Sequence, residues 1–482
     1  MSAVAVDPPS QKKASGQLNI ALPLQEKGWV VGLFRILTAF SAWLLIGAHV
    51  LRPTFKVFGL PITFYYAVGV ICFCAKVRGV KVFAKTPVDV AFVIWLALAV
   101  ISQLWASLSL DRVLMPDDIT VYMSIILTNW LFFRAAFALC AVDPRTATGS
   151  FLKAIVFFLG FACLIGILQG YGPGGLKQWA IDFGVKNGAA GQVTLLQLDM
   201  SSPRPLALFS GPNYYGFMNL IAMTIIIGMT VAQGKNMSMR SVWVAALGIG
   251  LFMIGTIVAQ SRFAIATSGI LFLYFLWLML KMGHKKVFAT GIVAMGLMMV
   301  GGLYFVQSVG MTYLQSTFEK RVQDDASFRA RERGLTALQD QAVALAPLGA
   351  GWDSKGYSID RTGDVWSRTN SIDNGYLQAY INHGIPGVLQ LLFLFCSMWW
   401  ALVIAKRHEF MHIKMLRIIG GMVLLTYVFY SLSGTRHAKL ETGIYWMVIF
   451  GLLYGSVYGE KYFGEDFRMR WRPIKAALTG AN

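Results

Sequence analysis

Apolar and polar positions along this chain come in long blocks, not at the short spacing of a half-exposed helix or strand. Near-continuous hydrophobic runs lie at 30–50, 58–75, 88–108, 119–141, 151–170, 206–232, 241–259, 263–281, 287–308, 373–405, 415–433 and 441–458. Most approach or exceed the roughly 20 residues that carry an α-helix across a bilayer. The pattern predicts an all-α polytopic membrane protein with about twelve transmembrane helices. The polar blocks divide it into an N-terminal tail (1–28), spans one to nine (29–308), a large loop (309–372), spans ten to twelve (373–458) and a basic C-terminal tail (459–482). Residues 1–28 lack an apolar core and a small-residue cleavage site, so they read as a tail and not a signal peptide.

Charge orients these blocks. Lys76, Arg78, Lys81 and Lys85 follow span two, Lys281, Lys285 and Lys286 follow span eight, and Lys406, Arg407, Lys414 and Arg417 follow span ten. Lys461, Arg468, Arg470, Arg472 and Lys475 follow span twelve, whereas the alternate loops are poorer in Lys and Arg. The positive-inside rule then predicts two cytoplasmic termini, with 171–205 and 309–372 on the outer face.

Composition narrows the class. Only 13% of the 482 residues are charged and 56% are hydrophobic, with a net charge of +19. On a soluble chain that charge would point to nucleic acid. Here it belongs to cytoplasmic loops facing anionic lipid, and no nucleic-acid partner is expected. The five cysteines lie in or beside apolar runs without CxxC or Cys/His ligand spacing. They read as small buried hydrophobes, with neither a disulfide framework nor a metal site. No internal repeat is visible, which counts against transporter architectures built from repeats.

The candidate chemistry groups on the outer face. The 309–372 loop holds Arg321, Arg329, Arg331, Arg333, Arg361 and Arg368 beside Trp352, Tyr357 and Trp366. Loops of that length are usually functional or disordered, and mixed basic and aromatic side chains suit an anionic, sugar-bearing substrate. Four clusters stand out. In the first, Arg204 and Asn213 flank a turn entering span six; the segment is either only that turn or the wall of a cavity. In the second, Ser261-Arg262 sits between two apolar helices; Arg262 either snorkels to headgroups or marks function. The third, Ser327–Arg333, opens an amphipathic segment that stops at Pro347-Leu348-Gly349-Ala350-Gly351, and Arg329 is the arginine expected to turn inward. The fourth runs from Asp373 to Val388. Asn374, Gln378 and Asn382 make a polar helical stripe there, and Gly384-Ile385-Pro386-Gly387 allows a kink or close approach. His383 reads as a hydrogen-bonded packing group before a catalyst. Trp352, Tyr376 and the other loop aromatics either stack on sugars or form an interfacial belt.

In combination these clusters resemble the bacterial O-antigen ligase and polymerase superfamily of membrane glycosyltransferases. Its ligase signature is His, then Asn, Ser or Gln, nine residues, and Gly-x-x-Gly followed by Val, Thr, Tyr or Trp. Asn374, Gly384, Gly387 and Val388 fit that spacing, and Asp373 stands where the ligases have histidine. Arg204 with Asn213 is similar to the family's arginine and "PN" element, Ser261-Arg262 to its "SR" motif, and Arg329 with Pro347–Gly351 to its outer-loop arginine and glycine segment.

The resemblance implies an inner-membrane enzyme with a periplasmic active site, using an undecaprenyl-diphosphate-linked oligosaccharide and needing no metal, nucleotide or other cofactor. Catalytic roles fall to Asp373, Arg329 and Arg262; substrate-binding roles fall to Arg204, Asn213, Ser261, Arg331, Arg333, Asn374, Tyr376, His383 and Trp352. Membrane lipid, a flippase and a chain-length regulator or export protein of the same pathway are the implied partners. The aspartate at position 373 favours a polysaccharide polymerase over an O-antigen ligase or protein oligosaccharyltransferase. The rival of another class is a transporter or flippase for the same lipid-linked sugars.

Arginine forks suit phosphate oxygens, and preorganised Arg204, Arg262 and Arg329 could stand in for a divalent ion. Asp373 is equally placed to act as a general base or to cap span ten.

Overall fold

The computed structural model describes residues 28–51, 56–57, 60–78, 84–109, 116–187, 205–234, 237–293, 347–349, 351, 375–432 and 440–469. Those residues form helices α1 (Gly28–Leu51), α2 (Ile62–Arg78), α3 (Pro87–Ser109), α4 (Pro116–Val142), α5 (Pro144–Tyr171) and α6 (Gly174–Asn187). After these come α7 (Pro212–Gln233), α8 (Met239–Val258), α9 (Arg262–Lys281), the described part of α10 (285–293), α11 (Gly375–Ala405), α12 (Met411–Tyr430) and α13 (Leu440–Met469). A two-residue antiparallel ladder, Lys56–Val57 with Leu60–Pro61, joins α1 to α2.

Eight of these helices are long and apolar enough to cross a membrane, and Arg35–Leu51, Ile62–Lys76 and Gly443–Gly459 are shorter apolar helices. The protein is therefore an all-helical, multi-pass membrane protein. Most of the expected ninth span, 287–308, lies outside the described residues. Among the boundaries that differ from hydropathy, α13 runs on to Met469, past the expected 458, and two others have clear reasons. α5 starts at Pro144, well before its apolar run, because Asp143 caps it by accepting from Thr146 N and Pro144 occupies the first turn. α7 starts only at Pro212, because 205–211 is irregular backbone.

At the centre stand α4, α7 and α13, and Ile444 to Leu453 of α13 is nearly all fully buried. α13 approaches α4 through Gly451 and Gly455, four residues apart. A Cβ on Gly455 would lie 2.5 Å from the Phe137 carbonyl, and one on Gly451 would run into that of Phe133. Between membrane helices such small-residue pairs replace the hydrophobic effect with close van der Waals contact. α5 packs against α1, α7, α8 and α6; α12 bridges α7, α11 and α13; and α3 lies against α4 and α11.

Charge inside the bundle is neutralised locally. Arg134 of α4 forms an ion pair with Asp89 of α3 and donates to the Ala84 carbonyl at 3.0 Å. Asp89 also accepts from Trp130 Nε1 at 2.9 Å and from Thr86 N at 2.7 Å. Of the cysteines, Cys74, Cys140 and Cys163 are buried as expected, whereas Cys72 and Cys396 are exposed on helix flanks; all five are free.

Candidate active site at one end of the bundle

The described parts of the segments singled out by sequence meet where α5, α8 and α12 end and α7, α9 and α11 begin. Gln169, near the end of α5, is fully buried and pins the irregular approach to α7. Its Nε2 donates to the Ala207 and Ala180 carbonyls at 3.1 and 3.2 Å, and its Oε1 accepts from Ala207 N at 2.9 Å. One side chain thus ties α5, α6 and the 205–208 turn together. Ala207 is held at φ 53°, a left-handed conformation uncommon for a residue with a Cβ. Arg204 lies outside the described residues, immediately before this anchored turn. Asn213, in the first turn of α7, is partly exposed.

The second turn of α7 touches the α8–α9 junction. A Cβ on Gly216 would lie 3.1 Å from Ser261 Cβ and 2.9 Å from Ala264 Cβ. Gln260, at the turn before Ser261, is the other described non-glycine residue with positive φ, at 51°. Backbone held in sparsely populated regions tends to cluster at functional sites, and both instances flank expected site motifs. Ser261 is the N-cap of α9 but makes no side-chain capping bond. Its hydroxyl is instead 3.2 Å from that of Tyr430, at the end of α12. α7 likewise starts at Gly211 without a side-chain cap. Two neighbouring helix N-termini therefore present backbone N–H groups with no side-chain cap, and helix dipoles make such ends attractive to anions. Arg262 is the first residue of α9, so its backbone is at this end; its side chain is outside the described atoms.

α12 carries the assembly across to α11. Tyr430 packs on Phe217 and Phe263, both with ring centroids 4.6 Å away. Ser431 accepts from Gly375 N at 2.5 Å, and Tyr376 donates to the Val428 carbonyl at 3.1 Å. Tyr376 thus has its hydroxyl on α12 while its ring is half-buried. Asp373 and Asn374 precede Gly375 in the chain and lie outside the described residues, as do Arg329, Arg331, Arg333 and Trp352.

The described end of the third cluster's segment, 347–349 and 351, meets the described part of the fourth. α11 is interrupted at Gly384, where φ is 64° and ψ −155°, a region essentially reserved for glycine. A Cβ there would collide with the Pro347 carbonyl, and one on Gly349 would sit 2.5 Å from the Ile381 carbonyl. The Pro347–Gly351 segment therefore lies directly on the break. Pro386 has no N–H to give the Asn382 carbonyl four residues earlier, and Gly351 N donates to that carbonyl at 3.0 Å.

His383, expected beside the substrate, is buried with both ring nitrogens engaged. Nε2 is 2.9 Å from the Tyr122 hydroxyl and Nδ1 is 3.0 Å from Ser102 Oγ. Trp95 Nε1 donates to the same tyrosine at 2.9 Å. Gln169, Tyr430, Ser102 and Tyr122 escaped the sequence reading. A glutamine or serine inside an apolar run was their only local signal.

No curated protein matches the chain. The run from within α8 through the Ser261-Arg262 junction and the Gly384 break is another matter: residues 244–392 match the family model described as O-antigen ligase, which supports the resemblance to the O-antigen ligase and polymerase superfamily.

Proposed function

We propose that the protein is a polysaccharide polymerase of the inner membrane. It transfers glycan from an undecaprenyl-diphosphate donor to a sugar hydroxyl of a second lipid-linked repeat unit, on the face opposite the basic loops. The observation that carries this reading is the convergence at one bundle end of Pro205–Asn213, Ser261-Arg262, Pro347–Gly351 and Gly375–Gly387. Nothing in their sequence spacing required them to meet.

The chemistry asked of such a site is modest. A diphosphate leaves readily, so the main demand is stabilising negative charge as the bond breaks, and preorganised donors do this best. Arg204, Arg262 and Arg329 are assigned to the diphosphate, with the N–H groups of α7 and α9 behind them. Asp373 is assigned to the acceptor hydroxyl as base, and Asn213, Ser261, Asn374, Tyr376, Arg331, Arg333 and Trp352 to binding. No metal or nucleotide takes part in this scheme.

The description of the matched family favours one second reading, an O-antigen ligase; the aspartate at 373 in place of histidine favours the polymerase. Purified protein supplied with lipid-linked repeat units should yield longer glycan without added metal. Cells lacking it should make single repeats and no long chains. Accumulation of long lipid-linked chains in those cells would instead establish the ligase.

A further inference from the structure

α11 cannot set its own direction through the break. Gly384 leaves the helical region and Pro386 lacks a donor, so the hydrogen-bond ladder that normally aligns successive turns is interrupted there. The segment above the break, Gly375–His383, is about 12 Å long at 1.5 Å per residue. It carries the partly exposed Tyr376, Gln378 and Tyr380 at the candidate site. Its upper end is held by α12, through Gly375 and Tyr376. Something else must hold the lower end.

His383 is the last residue above the break, and its ring reaches two other helices. Trp95 has only a hydrogen to give, so the Tyr122 oxygen accepts from it. Tyr122 O–H can then donate to Nε2, which leaves Nδ1–H to donate to Ser102 Oγ. Tyr122 also stacks on the imidazole, with ring centroids 5.6 Å apart at 25°. The next residue of α3, Gln103, fills the space where a Cβ on Gly351 would go, 2.8 Å away. The same short stretch of α3 therefore meets both the loop segment and the imidazole.

We propose that His383 is a positioning residue. With Ser102 and Tyr122 it forms a latch that sets the angle of Gly375–His383 against the bundle and keeps Pro347–Gly351 seated at Gly384. The latch acts on the proposed glycosyl transfer, on which its kinetic readout rests; its structural readout is independent of that reading.

The test compares purified full-length wild type with His383→Ala, His383→Asn, Ser102→Ala and Tyr122→Phe. Each is assayed for extension of a lipid-linked repeat unit and for amide exchange of the peptide containing Gly351. His383→Ala should lower kcat about 10- to 100-fold, the scale of a small misplacement of reacting groups, with donor KM within about twofold. Exchange at Gly351 should become faster. Asparagine, whose amide can still donate to Ser102, should restore part of both, and the other two variants should fall between. A wild-type kcat in His383→Ala overturns the positioning role even if exchange is faster, and unchanged exchange overturns the latch. If His383→Ala does not accumulate in membranes, Ser102→Ala and Tyr122→Phe decide by the same two criteria. A wild-type protein that never extends the glycan counts against the glycosyl-transfer reading, and exchange then decides the latch alone.

Discussion

The two ends of the bundle are built differently. At the end away from the candidate site, several helix starts are capped or paired by nearby side chains. Asp143 caps α5 and Ser238 caps α8. Thr86 and Asp89 bond each other's side chains and backbone at the start of α3, and Arg134 is paired with Asp89. α12, preceded by Phe410, begins there without a side-chain cap. At the site end, α7 and α9 have no side-chain caps. Both described non-glycine residues with positive φ are there, and α11 is broken. Capping residues are worth about 1 kcal/mol each, and strained backbone costs on the order of 1–3 kcal/mol per residue. One end is arranged for stability; the other gives stability up where a substrate would need open donors and fixed geometry.

Mutations at the two ends should separate activity from stability. The largest effect is expected at the site: Arg262→Ala, and likewise Arg204→Ala and Arg329→Ala, should cut chain extension by at least about 100-fold. Protein level in the membrane should stay unchanged on immunoblots. Normal polymerisation by all three would remove the diphosphate assignment. Next comes Asp89→Asn at the opposite end. It leaves a buried guanidinium without its counter-charge, a loss of about 3–5 kcal/mol, visible as a lower melting temperature in detergent. The kcat of the folded fraction should not change, and a drop in kcat at normal stability would contradict the division between the two ends. The smallest is Asp143→Ala, with about 1 kcal/mol lost from the α5 cap and no change in turnover.

Most of the helices were legible because lipid allows so few alternatives. Hydropathy fails where a helix starts with polar turns, as α5 does at Pro144, or where apolar backbone is irregular, as at 205–211. The close α4–α13 contact was written in Gly451 and Gly455 but has no hydropathic signal. At the site, the glycines and prolines of 347–351 and 384–387 marked a break because glycine and proline change the backbone itself. What lay across the break was not legible. His383 meets partners 261 and 281 residues away, and no local pattern predicts pairing at that separation. Arg134 stands out as a charge within the 119–141 apolar run, but Asp89, in the first turn of α3 just after Lys85 and Thr86, carries no local signal that marks it as the partner.

That pair bears on how the chain enters the bilayer at all. A solitary arginine or aspartate is penalised by about 2.5–3.5 kcal/mol at mid-helix on insertion scales, whereas charges near helix ends can reach the interface. Asp89 lies in the first turn of α3 and Arg134 about two turns from the end of α4. Arg134 and Asp89 stand in consecutive helices and cancel each other. Consecutive in the chain, α3 and α4 need no other helix to neutralise this pair, so an early hairpin of the two would already be charge-balanced.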